Sequence, residues 1–170
     1  MRLPHLELGD FHAARADLET HLSNVTSVAW PHARAHANAY CLLGRSLAKI
    51  GDVRAARTAF DNAIRLAPSD ADNRKIRGWF LMENGQNESA LEDLQIAAIA
   101  IPDDGQLIGY RAIVYYRLKC YELAAKDFTN CIALNYATAW SHSWRARAYL
   151  QIDELQLALS DCKCVDVPAR

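Results

Sequence analysis

The sequence predicts an all-α chain, a solenoid of stacked helix pairs, and three observations carry that expectation. Residues 37–70 read as two amphipathic helical patterns separated by Gly51-Asp52 and closed by Pro68. Moving 34 places downstream returns the same landmarks: Gly44 is answered by Gly78, Gly51 by Gly85, Ala56 by Ala90, Ala63 by Ala97 and Pro68 by Pro102. The register then persists through weaker copies, so that units 37–70, 71–104, 105–138 and 139–170 follow a partial unit at 1–30 within a single repeat domain, 1–170. Such recurrence marks units that bury their apolar faces only against their neighbours.

The partial unit comes first. Setting Gly9-Asp10-Phe11 against Gly51-Asp52-Val53 puts Ala14 on the small position of Ala56 and Leu18 on the bulky position of Phe60, so residues 11–23 read as a second helix. Pro4 interrupts the helix before it. This alignment needs an offset of 42 rather than 34, which leaves about eight extra residues for a loop around Asn24, Thr26 and Ser27. Pro31 then suits the first turn of the next helix, where its missing N–H costs nothing.

In the first full unit, Leu43, Leu47 and Ile50 recur at helical spacing on one helix, and Ala56, Phe60, Ala63 and Ile64 on the next. Small side chains at 44, 56 and 63 allow close approach, with Phe60 filling the space between. Gly51 suits a left-handed helix end, and Ser69 or Asp70 a helix cap. Residues 71–104 repeat the scheme with Gly78, Leu81, Gly85, Ala90, Leu94, Ala97 and Pro102, and Asp103-Asp104 are the next cap candidates. The third unit keeps Ala112, Tyr115, Ala124, Phe128 and Leu134 but puts Lys119 at the turn glycine, Cys131 at the last alanine and Tyr136 at the proline. The fourth keeps Ala146, Tyr149 and Ala158, with Asp153 at the turn and Cys162 at the bulky position.

A chain of 170 residues, 51% hydrophobic and 23% charged, has material for one packed domain. Its net charge of -1 gives no field that would recruit nucleic acid or an anionic membrane. The N-terminus breaks its apolar residues with Pro4, His5, Glu7 and Asp10, and no stretch approaches the roughly 18 to 20 apolar residues of a membrane span. A cytoplasmic location is expected, in which Asn24-Val-Thr26 and Asn87-Glu-Ser89 match the glycosylation pattern by accident.

Cys41, Cys120, Cys131, Cys162 and Cys164 have no metal-binding spacing and are expected as reduced thiols in small core positions. His5, His12, His21, His32 and His36 crowd the N-terminal fifth, and only His32 and His36 are spaced to share a helix face. With no further ligand nearby, surface histidines are expected rather than a metal site. No nucleophile elbow, phosphate-cradling glycine loop or HExxH occurs, so no catalytic residue, metal or other cofactor is expected.

A unit of 34 residues with Gly or Ala eighth, Ala twentieth, Phe or Leu twenty-fourth and Pro thirty-second resembles the tetratricopeptide repeat family over about residues 9–166. The resemblance implies antiparallel helix pairs coiled into a right-handed superhelix, first helices lining a concave groove that holds a partner's peptide or helix. It implies no catalytic residues. One branch of the family binds acidic chaperone tails through a carboxylate clamp. The matching places hold Cys41, Arg45, Ile76, Gln106 and Tyr110, or one unit later Lys75, Trp79, Tyr110, Trp140 and Trp144, so the clamp is absent.

Under that resemblance the second, fifth, ninth, twelfth and thirteenth places of each unit face the groove. They supply Asn38, Arg45, Lys49, Lys75, Trp79, Tyr116, Arg117, Trp140 and Arg147 as candidate partner-binding residues, with Cys41, Met82 and Gly109 at further such places. Five cations, Arg45, Lys49, Lys75, Arg117 and Arg147, stand against two anions, Asp72 and Glu83. Trp79, Tyr116 and Trp140 add rings that either anchor a partner or pack between units. The expected function is a non-catalytic protein-interaction scaffold for an acidic segment with hydrophobic anchors. Two alternatives remain: a single-stranded nucleic-acid binder, since basic residues interleave with rings, and a regulatory repeat domain of a larger protein. Leu155, Ala158, Cys162 and Val165 place apolar surface on the last helix, where a homodimer contact is expected.

Overall fold

The computed structural model describes residues 11–23 and 33–165. The expected loop at 24–30, Pro4, His5, Pro31 and His32 lie outside the described residues. Among the described residues there are nine helices and no strand: α1 Phe11–Ser23, α2 Ala33–Lys49, α3 Val53–Leu66, α4 Ala71–Glu83, α5 Asn87–Ala100, α6 Gly105–Arg117, α7 Tyr121–Ala133, α8 Thr138–Gln151 and α9 Leu155–Val165. The chain divides into two compact units, Met1–Arg77 and Gly78–Arg170, with the division falling inside α4.

In the first unit α1 packs on α2 and α2 on α3. Ala14 and Leu18 are buried on α1, as are Ala56, Phe60 and Ala63 on α3. Gly44 is the point of closest approach. A Cβ there would lie 2.8 Å from Phe60 Cε1, so the glycine is what lets α3 press its ring onto α2. Burying one such phenylalanine stabilises the unit by about 2–3 kcal/mol. Because α2 is covered by α1 and by α3, its buried stripe is broad and takes in Ala37, Ala39, Cys41, Leu43, Gly44, Ser46 and Leu47.

The second unit repeats this packing. Gly78 stands over Leu94, whose Cγ would lie 2.8 Å from an added Cβ. Further along, Ala112, Ala124, Ala125, Phe128 and Ala148 form a core against which Ile113, Tyr115, Tyr116, Trp144 and Tyr149 pack. Consecutive helices α5 to α6, α6 to α7, α7 to α8 and α8 to α9 are in contact.

The turn inside each pair is built four times from one set of bonds. The amide of Asp52 donates to the carbonyl of Leu47, Gln86 to Leu81, Cys120 to Tyr115 and Glu154 to Tyr149, at 2.9 to 3.0 Å. This helix ending requires a left-handed residue just before the donor. Gly51 (φ 84°) and Gly85 (φ 75°) supply it freely, whereas Lys119 (φ 62°) and Asp153 (φ 59°) adopt it against the preference of a side-chain-bearing residue. Three aspartates cap the following helices. Asp52 Oδ1 accepts from the Ala55 amide at 3.0 Å, Asp70 Oδ1 from Asn73 at 3.1 Å and Asp104 Oδ1 from Leu107 at 2.9 Å. Of the cap candidates read from sequence, Asp70 and Asp104 are the ones that bond.

Between α7 and α8 the repeat departs from its pattern. Tyr136 replaces the unit-closing proline, and the residues on either side, Asn135 (φ 54°) and Ala137 (φ 44°), are left-handed. The tyrosine folds over Gly105 so closely that an added Cβ would lie 2.5 Å from Tyr136 Cβ. The absent side chain at Gly105 makes room for the added ring at Tyr136.

Candidate functional site

The candidate residues fall in both units, and each unit holds its own share. On α2 of the first unit Asn38, Arg45 and Lys49 are exposed, whereas Cys41 is buried among helix contacts. The expectation that the fifth place of this unit faces a partner is therefore corrected: covering by two helices turns Cys41 inward. Burial pushes its thiol up to about 12, against the opposing pull of Arg45. Lys75 is half-buried, with its ammonium 3.2 Å from Asp72.

In the second unit Met82 and Gly109, two further places expected to face a partner, are also buried. Gly109 is covered by rings of α8 and of the turn before it: an added Cβ would lie 3.5 Å from both Trp140 Cζ3 and Tyr136 Cε1. Trp79 is half-buried. Arg117 is exposed along its side chain but donates from Nη1 to the carbonyl of Met82, which ties the end of α6 to α4.

The residues that the fold gathers most closely are aromatic. Tyr116 of α6 meets Trp144 of α8 edge to face at 5.3 Å and Tyr121 of α7 at 5.3 Å. Trp140 meets buried Phe128 edge to face at 5.6 Å and lies 6.2 Å from Trp144. Phe128 stacks on Trp144 at 6.3 Å. Edge-to-face pairs of this kind add about 0.5–1.5 kcal/mol each beyond the area they bury. The rings therefore do pack between helix pairs, yet Trp140 remains 37% exposed. Arg147 lies over the Trp144 ring, its guanidinium carbon 4.8 Å from the ring centre. One turn on, Leu150 is 50% exposed. Trp140, Arg147 and Leu150 thus share α8 with Trp144, a ring that repeat position alone did not single out because the sixth place is not among those expected to face a partner.

A second set of contacts, ion pairs between neighbouring helices, was also outside the sequence expectations. Arg111 of α6 donates from Nε to Asp127 Oδ2 at 2.7 Å and from Nη2 to Oδ1 at 2.9 Å. Arg145 of α8 makes the same fork with Asp161 of α9, at 2.8 and 2.6 Å, and reaches Thr129 Oγ1 at 2.9 Å. His142 Nδ1 is 2.7 Å from Asp161 Oδ1. Burial alone would raise the Asp161 carboxyl, but the bonds from Arg145 and His142 outweigh it and hold the group below the ordinary carboxylate value. The signal for these pairs was in the sequence. Arg77, Arg111 and Arg145 stand 34 apart, as do Asp93, Asp127 and Asp161. Asp93 is buried like the other two aspartates, and Arg77 reaches Asp61 Oδ1 at 2.8 Å.

The thiols divide by exposure. Cys131 is buried, which pushes its thiol up to about 11, and it donates to the carbonyl of Gly105 at 3.5 Å. Cys162 and Cys164 are exposed, so the expectation of core thiols is corrected for these two. On the last helix Ala158 is buried against its neighbours while Leu155, Leu157 and Leu159 are exposed, and Ala158 therefore offers nothing to a second molecule. The side chain of Val165 lies outside the described residues. Among the histidines, His21 of α1 and His36 of α2 stack at 5.7 Å, a pairing of two helices that spacing along one helix did not suggest. No group of three potential metal ligands occurs among the described residues, and no described helix is long and apolar enough to cross a membrane.

Comparison with known proteins agrees with this geometry. Residues 41–105 match the family model described as a tetratricopeptide repeat. DnaJ homolog subfamily C member 3 of Rattus norvegicus is 27% identical over 84 residues, 49% of this chain, and the chain spans only 17% of that relative's length. Among solved structures, MamA from Desulfovibrio magneticus RS-1, residues 41 to the end, superposes with a TM-score of 0.84 at 19% identity, covering 95% of this chain and 87% of that one. MamA of strain AMB-1 superposes with a TM-score of 0.83 at 18% identity, covering 96% and 92%. At these identities the likeness shows the fold, an all-α solenoid of helix pairs. The direct match makes residues 41–105 similar to tetratricopeptide repeats, and the 34-residue register and the left-handed turns carry the same helix-pair pattern beyond them.

Proposed function

We propose that this chain is a non-catalytic interaction module that holds an acidic peptide or helix with hydrophobic anchors. The observation that carries the reading is the grouping on α8 of the second unit, where Trp140, Arg147 and Leu150 are exposed beside the half-buried Trp144 and Tyr116. Large rings and arginines held on rigid helices are the side chains that most often dominate a protein interface. Here they are positioned before a partner arrives, because Phe128 locks Trp140 and Trp144 from behind. Arg147, resting on Trp144, has a guanidinium whose remaining donors suit a carboxylate in two-point contact. In the first unit Arg45 and Lys49 give α2 a cationic exposed face of the same preference.

The test is a set of short peptides of matched length, acidic with aromatic residues, basic with aromatic residues, and acidic without them, together with a single-stranded RNA. The acidic aromatic peptide should bind most tightly, and replacement of Arg147 by Ala should weaken it about tenfold, as expected when a charge-assisted contact is lost. Arg117 is left in place because its bond to Met82 is structural. Equal affinity for basic and acidic peptides removes the reading, and RNA binding that falls steeply with salt replaces it.

A further inference from the structure

Helix α8 carries two sets of side chains on opposite sides. At about 100° a residue, Trp140, Trp144 and Arg147 fall within a sector of about 60°, whereas His142 and Arg145 fall about 140° or more from Trp140. The first set is the face offered to a partner, and the second holds the helix down. Arg145 forks onto both oxygens of Asp161 on α9 at 2.8 and 2.6 Å, and His142 Nδ1 meets one of the same oxygens at 2.7 Å. The remaining arm of the guanidinium goes to the other neighbour: Nη1 donates to Thr129 Oγ1 of α7 at 2.9 Å. Thr129 in turn donates to the Ala125 carbonyl at 2.8 Å, which fixes its oxygen on α7.

Thr129 adjoins Phe128, the ring that backs Trp140 at 5.6 Å and Trp144 at 6.3 Å. Arg145 therefore ties α8 to α7 one residue from the contact that seats the two indoles, and to α9 on the other side. With both neighbours gripped by one planar group, α8 turns about its own axis only by breaking a charge-assisted bond. A turn of about 20° would carry a side chain at the helix surface, about 5 Å from the axis, through nearly 2 Å. That is enough to part the indoles from Phe128, since a gap of even about 1 Å forfeits much of a packing contact.

The preceding period sets these bonds apart from the fork itself. Arg111 makes the same fork to Asp127, but the place of Thr129 is taken on α5 by Gln95, which donates to the Tyr115 hydroxyl at 3.3 Å. The place of His142 is taken on α6 by the buried Ile108. The added bonds thus occur on the helix that bears the exposed tryptophan and arginine.

We infer that Arg145 is a positioning residue for the α8 face: its bonds to Asp161 and Thr129 set the rotation of α8 at which Phe128 seats Trp140 and Trp144 beside Arg147. The consequence for affinity rests on the peptide-binding reading above, whereas the placement of the indoles does not.

Trp140 and Trp144, 6.2 Å apart with their planes at 60°, form a pair whose exciton signal in circular dichroism reports their mutual placement. On the whole chain, the difference from Trp140→Phe assigns that signal. Arg145→Ala should lose most of it, because indoles released from Phe128 average over rotamers. Thr129→Val, which keeps the side-chain shape and the fork, should lose part of it. Arg111→Ala, which removes the matching arginine one period earlier, should retain it although urea unfolding shows a comparable loss of stability. Calorimetric affinity for an acidic aromatic peptide should fall about fivefold in Arg145→Ala and be unchanged in Arg111→Ala. A folded Arg145→Ala chain with the native exciton signal overturns the inference, as does a Thr129→Val chain with the native signal or an equal loss in Arg111→Ala. A native chain that binds no such peptide removes the proposed function instead, and the exciton comparison still decides the role of Arg145.

Discussion

Arg111 and Asp127 hold α6 to α7 through two parallel bonds of 2.7 and 2.9 Å, with the carboxylate 6% and the guanidinium side chain 19% exposed. The pair is strong where it is intact, and costly where it is halved, because a charge left alone in this position has little water and no charged partner. Asp127→Asn is therefore expected to destabilise the chain by about 3 kcal/mol. The hydrophobic double replacement Arg111→Met with Asp127→Leu is expected to recover most of that loss. Urea unfolding of the native chain and the two variants decides it, and an Asp127→Asn variant as stable as the native chain contradicts the role given to the pair.

The Asp161 pair adds a pH dependence whose sign is set by the lowered carboxyl. A carboxyl that is more acidic folded than unfolded stabilises the chain fully above its unfolded value, about pH 4, and this contribution is lost as pH falls through the lower folded value. The native chain should consequently lose stability more steeply below about pH 4 than Asp161→Asn does. Parallel pH profiles at neutral-to-acid pH would refute this by having the same slope.

Left-handed backbone at Lys119 and Asp153 is a source of removable strain. A side chain in that region costs roughly 1–2 kcal/mol, partly offset by the entropy that glycine loses on folding. Lys119→Gly should raise stability by up to about 1 kcal/mol, whereas Gly51→Ala and Gly85→Ala should lower it by about 1–2 kcal/mol. Thermal unfolding of the three variants reads the opposite signs.

Close approach of the helices predicts a different failure at Gly44 and Gly78. Adding one methyl group places it 2.8 Å from the Phe60 ring or from Leu94, inside van der Waals contact. Gly44→Ala is expected to cost about 1–3 kcal/mol through overpacking, and Gly44→Ala combined with Phe60→Leu to cost less than the sum of the two single changes. A double-mutant cycle that is strictly additive would separate the two residues.

Most of the fold was legible in the sequence because a solenoid repeats its steric demands. Each pair needs a side chain no larger than alanine where helices touch and a bulky one opposite, and Gly44 with Phe60 and Gly78 with Leu94 announce both. Residues 11–23 were legible for the same reason, through Ala14 and Leu18. The candidate site was legible only in outline. Helix position alone does not say which residue of a broad buried stripe stays inside, so Cys41 and Met82 were expected outward and lie inward. Trp144 was passed over because its importance comes from Phe128 and Arg147, which belong to other turns of the structure. The arginine–aspartate forks were hidden by the ordinary presumption that charges on helices are solvated, although their period of 34 was in view.

Under the proposed function, Trp140 and Arg147 on α8 form a prepared face for a partner. Calorimetric titration of an acidic peptide carrying two aromatic residues into the native chain and into Trp140→Ala with Arg147→Ala tests it most directly, with thermal unfolding of both proteins measured alongside. Saturable binding to the native chain is expected, weakened at least tenfold in a variant that still unfolds cooperatively. Equal affinity in the two proteins would contradict it.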